Sequence, residues 1–203
     1  MKQRLLIATT NRGKLRELRQ ILDASQFELS TLSDFQTVTA VPETGATFAE
    51  NACLKATGYA IQTDVLTLAD DSGLEIDALG KAPGVRSARF LREAASYDER
   101  NRRILEQLHD DVNRTARFVC VIAIAAPNGR LLHRSTGICE GRIAPLARGT
   151  LGFGYDPIFV PNGYDLTFGE LPTQLKNRIS HRARAIESAH QFLLSLTASS
   201  AAG

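Results

Sequence analysis

The sequence predicts an α/β fold built on a mixed β-sheet, and three observations carry that expectation. Apolar runs of strand length alternate with segments whose apolar residues recur at helical spacing, the pattern of a sheet flanked by helices. An Asn-Gly pair, Asn128-Gly129, separates two apolar runs and marks a tight hairpin, so at least one strand pair is antiparallel. No repeat, low-complexity linker or break in composition divides the 203 residues, which places one domain over 1–196 and a frayed tail over 197–203.

Arg4 to Thr9 (RLLIAT) is the first strand-length run, and Leu15, Leu18 and Leu22 then keep helical spacing from Lys14 onward. Thr47 with Glu50 three residues later is a capping-box pair, and Phe48, Ala52, Ala56, Tyr59 and Ala60 form the helical face behind it. Val65 to Ala69 reads as a buried strand that gives way to a turn at Asp70, Asp71, Ser72 and Gly73. Leu74 to Leu79 alternates as a half-buried strand, and Ala82 to Arg89 is a loop. Ser96 with Glu99 is a second capping box, opening a helix through Leu108. Phe118 to Ala126 runs apolar throughout and folds back through the Asn-Gly turn onto Leu131 to Ile138. Gly149 to Pro157 is a glycine-rich loop. Ser180 caps a final helix whose apolar stripe is Ile186, Ala189, Leu193 and Leu196.

Composition removes several classes of function. A net charge of +2 lacks the concentrated positive surface that nucleic acid requires, so no stable nucleic-acid partner is expected. Arg100, Arg102 and Arg103 raise an RNA-binding alternative, but with 6% aromatic residues a solvated helix face fits them better. No apolar run approaches the roughly 18 residues of a membrane span, and the first ten residues lack the pattern of a secretion signal. A cytoplasmic protein with no membrane partner is the expectation. Cys53, Cys120 and Cys139 are odd in number and widely spaced, as reduced, buried thiols would be.

Four segments carry chemistry. Thr10, Asn11, Arg12, Gly13 and Lys14 join the first strand to the first helix, where free N–H groups and the helix dipole favour an anion. A lysine in that first turn opposes the dipole unless an anion compensates; the GxxxxGK[ST] spacing of a P-loop is absent. His181 and Arg182 open the final helix with Lys176 and Arg178 just upstream, and this crowd of cations at a positive helix end also calls for a bound anion. Glu43, Asp70 and Asp71 are candidate ligands for a hard cation such as magnesium, and neighbouring residues of a strand end face opposite sides, so the two aspartates have different tasks. Gly152 to Asp156 resembles the start of a dinucleotide fingerprint, but Pro157 stands in place of its third glycine; the glycines instead suit a loop laying Phe153 against a flat ring.

In order along the chain, ATTNRGKLRE, PETGATFAENACLKA, LADDSGLEIDALGKAPGVRSARF, GFGYDPIF and KNRISHRARA resemble the five motif blocks of the noncanonical purine nucleoside triphosphate pyrophosphatases, the inosine triphosphate pyrophosphatase family. Thr10 departs from the glycine more usual in the first block. The resemblance implies a homodimeric, Mg²⁺-dependent enzyme that hydrolyses inosine, deoxyinosine and xanthosine triphosphates to the monophosphate and pyrophosphate. It also implies a long curved mixed sheet with helices on both sides, forming two lobes around a nucleotide cleft. Carried over, Asp71 is the proton acceptor and a metal ligand, Glu43 helps to hold the metal, and Lys55 is a further catalytic cation for the phosphates. Thr9, Thr10, Asn11, Arg12, Gly13, Lys14 and Ser72 would contact substrate, as would Phe153, Gly154, Tyr155, Asp156, Lys176, His181 and Arg182.

Base selectivity then needs a carboxylate beside a cationic donor, because a 6-oxopurine shows an N1–H donor next to an O6 acceptor and adenine reverses both. Asp156 with either Arg182 or Lys176 could supply that pair. Two rival readings stand beside this one. One is a house-cleaning pyrophosphatase for pyrimidine or modified nucleotides, and the other is a catalytically silent nucleotide sensor.

Overall fold

The computed structural model describes residues 2–22, 27–91, 95–109 and 113–201. Its elements are, in order, β1 (Gln3–Ile7), α1 (Arg12–Ile21), β2 (Phe27–Thr31), α2 (Phe48–Thr63), β3 (Leu66–Ile76), α3 (Tyr97–Gln107), β4 (Thr115–Ala125), β5 (Leu131–Ile143), β6 (Phe159–Pro161), α4 (Thr173–Ile179) and α5 (His181–Ala201). The six strands form one sheet in the order β2-β1-β3-β4-β5-β6. β1 runs parallel to β2 and β3, with Leu5 opposite both Leu29 and Leu66, whereas β5 and β6 are antiparallel. The expected mixed α/β sheet is therefore present.

The apolar run of β1 follows from its place between two parallel neighbours. Leu5, Leu6 and Ile7 are all fully buried, as both faces of a covered parallel strand must be. From β1 the chain passes through α1 to β2 on one side, then through α2 to β3 on the other. Its lateral direction thus reverses at β1, and in open α/β sheets ligands sit outside the carboxyl ends of the strands at such a switch point. Thr9 to Lys14 leaves the end of β1, and Asp70 and Asp71 lie just beyond Leu68, whose carbonyl accepts the Ala8 N–H at 2.8 Å.

The chain divides into two compact units. The first comprises Met1–Asp71, Cys120–Gly137 and Arg182–Gly203; the second comprises Ser72–Val119 and Ile138–His181. Leu5, Ile7, Leu18, Ile122, Ile186 and Leu193 are central to the core of the first unit. Leu74, Ile104, Phe118, Ile158, Phe159 and Phe168 hold the same place in the second.

Local signals explain most boundaries. Thr47 accepts the Glu50 N–H while Glu50 accepts the Thr47 N–H, so the capping box of α2 is closed in both directions. Thr47→Ala should lower stability by about 1 kcal/mol, read as a lower urea midpoint at unchanged m-value. Ser96 likewise accepts the Glu99 N–H at the start of α3. The predicted hairpin forms: Gly129 takes a φ of +81°, its N–H donates to Ala126 O, and the Ala126 N–H donates to Arg130 O.

Other expectations give way. Asp70 to Gly73 is no turn but the middle of β3, which continues to Ile76 before a short 3₁₀ turn over Asp77–Leu79. The strand persists because both aspartates are buried and because Gly73 admits a close neighbour: a Cβ there would stand 2.3 Å from Ser87 Oγ, which accepts the Leu74 N–H. The Ala82 to Arg89 loop contains a 3₁₀ helix over Gly84–Arg89. β2, β6 and the short α4 are too brief or too polar to announce themselves in the pattern. α5 extends to Ala201, past Thr197 where a tail was expected, and Ala202 and Gly203 lie outside the described residues.

Arg100 is buried with its Nε donating to Phe90 O, while Arg102 and Arg103 both pair with Glu106. The solvated triple-arginine face therefore does not form. Cys120 and Cys139 are buried thiols, and Cys53 is partly exposed. Among the described residues no helix is long and apolar enough to cross a membrane.

Candidate active site

The first unit gathers one set of predicted residues around β1, α1, α2 and β3. Asn11 caps α1, its Oδ1 accepting the N–H groups of Gly13 at 2.9 Å and Lys14 at 3.1 Å. Thr9 Oγ1 accepts the Asn11 N–H, while Thr10 and Arg12 are exposed. Lys14 Nζ sits 3.0 Å from Asp70 Oδ2. The lysine that opposed the helix dipole thus has an internal counter-anion, and its presence alone no longer requires a bound one.

The cations before the last helix are corrected in the same way. Lys176 and Arg178 lie in the last turn of α4, the end of a helix that favours positive charge. Arg182 does stand at the start of α5, but it is almost fully buried, paired with Glu17, and 3.8 Å from Asp70.

Asp70 and Asp71 alternate across β3 as adjacent strand residues should, and the two sides differ. Asp70 meets Lys14 and Arg182. Burial pushes its carboxyl upward, but Lys14, then Arg182 and Lys55, outweigh burial and hold it far below the usual range. Asp71 meets Lys55 instead, whose Nζ lies 3.3 Å from Asp71 Oδ1 and 2.8 Å from Glu43 Oε1. Here burial prevails over Lys55 and Lys14, and the carboxyl is pushed up, with Glu43 and Asp70 adding to the shift. Asp71 Oδ2 is buried with no hydrogen-bond partner among the described residues. Burial would also discharge Lys55, but Asp71, Asp70 and Glu43 more than compensate and keep its ammonium charged.

Two of these features had sequence signals. Lys55 falls on the buried stripe of α2 with Phe48, Ala52, Ala56 and Tyr59, where a lysine is out of place unless it meets anions. Glu17, which the sequence reading missed, is a buried acid one helical turn after Lys14. Its partner Arg182 is remote in sequence, so no local pattern exposes the pair.

The second unit gathers another set. Asp156 is 2% exposed; its Oδ2 accepts from Lys176 Nζ at 2.5 Å and from the Phe153 N–H at 2.7 Å. Gly152 is required for this arrangement, because with φ at +74° a Cβ would lie 2.0 Å from Asp156 Oδ2. Of the two cations considered as the partner of Asp156, Lys176 holds the place and Arg182 does not. The Lys176 ammonium also stands 4.8 Å from the centre of the Phe153 ring, as in a cation–π contact. His181 stacks on Phe118 with ring centres 4.7 Å apart and planes 11° from parallel.

Tyr155 packs its side chain inward. Its ring is buried edge-on against Tyr97, its hydroxyl donates to Ser87 O at 2.7 Å, and burial pushes the phenol pKa up, so the side chain belongs to the core. The Gly154 carbonyl accepts from Asn101 Nδ2, and Ser72 is half-buried directly after Asp71 in β3.

The sequence profile of the Ham1 family matches residues 5–192. A dITP/XTP pyrophosphatase of Desulforamulus reducens is 47% identical over 192 residues, covering 94% of this chain and 95% of that protein. A protein of the same name from a Nostoc species is 46% identical over 197 residues, 97% of each chain. Among solved structures, a HAM1 protein from Coxiella burnetii superposes with a TM-score of 0.87 at 41% identity, covering 95% of this chain and 99% of that one.

Proposed function

Because the chain belongs to the Ham1 family, we propose that it is a nucleoside triphosphate pyrophosphohydrolase for the noncanonical purine nucleotides ITP, dITP and XTP. It releases the nucleoside monophosphate and pyrophosphate, and so clears these nucleotides from the cytoplasmic pool. The observation that carries the reading is the convergence of Glu43 and Asp71 on one ammonium, with the second Asp71 oxygen buried and unsatisfied.

The donor set fits magnesium. Two carboxylates offer hard oxygens within reach of a common point. Mg²⁺ takes few protein ligands and completes its shell with water and phosphate oxygens. When bound, the ion would neutralise phosphate charge and acidify water. Glu43 and Asp71 would hold it. Asp71 would also take the proton of the water attacking the α-phosphorus, a task for which a carboxylate with raised pKa is the stronger base. Lys14 and Lys55 would meet the negative charge that grows on departing pyrophosphate.

The second unit, taken by itself, carries groups suited to a purine base. Asp156 and Lys176 place an acceptor beside a donor, which complements N1–H and O6 of a 6-oxopurine. Phe153 offers an aromatic face, and His181 a further polar contact. The active form is taken to be a homodimer.

Incubation with ITP and Mg²⁺ followed by phosphorus NMR tests the reading. Monophosphate and pyrophosphate are expected. Diphosphate with orthophosphate would place the cleavage at the wrong bond, tight binding without turnover would favour a sensor, and faster turnover of pyrimidine nucleotides would favour the related house-cleaning activity.

A further inference from the structure

Lys55 stands between two carboxylates. Its Nζ is within 2.8 Å of Glu43 Oε1 and 3.3 Å of Asp71 Oδ1, so the ammonium occupies the point on which both carboxylates converge. A magnesium ion would need oxygens at about 2.0–2.1 Å. Ammonium and metal therefore compete for the same oxygens and repel each other at contact distance.

The lysine cannot simply swing into water. It is 8% exposed, and it rises from the buried face of α2 that also carries Asn51, Ala52, Ala56 and Tyr59. Nor do the neighbouring charges offer it another anion, because Asp70 is engaged by Lys14 and Arg182. With Lys55 in place the two carboxylates carry a net single negative charge, and without it they would carry two. Asp71 Oδ2 is buried without a hydrogen-bond partner among the described residues, which leaves an anionic oxygen open to a cation.

We propose that Lys55 is a place-holder for the metal. In the resting protein its ammonium neutralises Glu43 and Asp71 and keeps divalent ions out; a triphosphate supplies the ammonium with a competing anion and frees the two carboxylates. Metal thus binds together with nucleotide rather than ahead of it, and the protein does not sequester free magnesium between turnovers. The inference rests on the assignment of Glu43 and Asp71 as metal ligands.

Manganese binding to the nucleotide-free full-length protein, followed by electron paramagnetic resonance of the unbound ion, tests it. Lys55→Met, which keeps the stem and removes the charge, should bind Mn²⁺ at least about tenfold more tightly than wild type. Lys55→Arg should stay near wild type, and adding Glu43→Gln to Lys55→Met should abolish the gain. Lys55→Gln, which keeps a hydrogen-bonding head, serves if the methionine variant does not fold. In wild type, an α,β-imido analogue of ITP should tighten Mn²⁺ binding. If the uncharged variants bind Mn²⁺ no more tightly than wild type, the place-holder is refuted. Chelation separates this from the underlying assignment: turnover that persists in excess EDTA removes the metal reading itself, whereas EDTA-sensitive turnover combined with unchanged Mn²⁺ affinity in the variants removes only the place-holder.

Discussion

Asp71→Asn should lower kcat for ITP by about 10² to 10⁴-fold. Asparagine fills the same space in β3 and can still accept a hydrogen bond from Lys55, whose Nζ lies 3.3 Å from Asp71 Oδ1. What it cannot do is take a proton from water or offer two anionic oxygens to a metal. The loss should therefore appear chiefly in turnover, with the fold intact by circular dichroism. Wild-type turnover in the variant would show that another group activates the water.

Asp156→Asn should collapse base discrimination. A site that pairs a donor and an acceptor with the 6-oxopurine edge rejects adenine because buried polar groups are left unmatched, which can amount to about 10⁴-fold. The asparagine amide presents a donor on one side and separates Lys176 from its carboxylate, whose Oδ2 it holds at 2.5 Å. The ratio of kcat/KM for ITP over ATP should fall by about 10²-fold or more, mostly through loss of ITP activity. A ratio that stays at its wild-type value would move base reading away from Asp156.

The sequence made the frame legible wherever a signal was local. Thr47 with Glu50, Ser96 with Glu99 and Asn128-Gly129 each act through neighbours in the chain, and each appears where its chemistry demands. The alternation of Asp70 and Asp71 was legible for the same reason, since opposite faces follow from the pleat alone.

What stayed hidden depends on tertiary partners. Asp70 to Gly73 are four turn-forming residues, but cations from α1, α2 and α5 let both acids remain buried in a continuous strand. Lys14 and Arg182 are unusual at helix starts, where the dipole disfavours cations. Their counter-charges, Asp70 and Glu17, proved to lie within the chain. Tyr155 sits in a motif block, yet its hydroxyl bonds to Ser87, 68 positions earlier, and no pattern near it foretells that.

The continuity of β3 through its paired acids also constrains how the gene can change. Because side chains in a strand repeat every second position, deleting one residue just ahead of Asp70 would not merely shorten the strand; it would exchange the partners of every following side chain. The acid committed to Lys14 and Arg182 would then confront Lys55, and its neighbour the reverse. A codon lost or gained there would invert the whole electrostatic layout at a stroke.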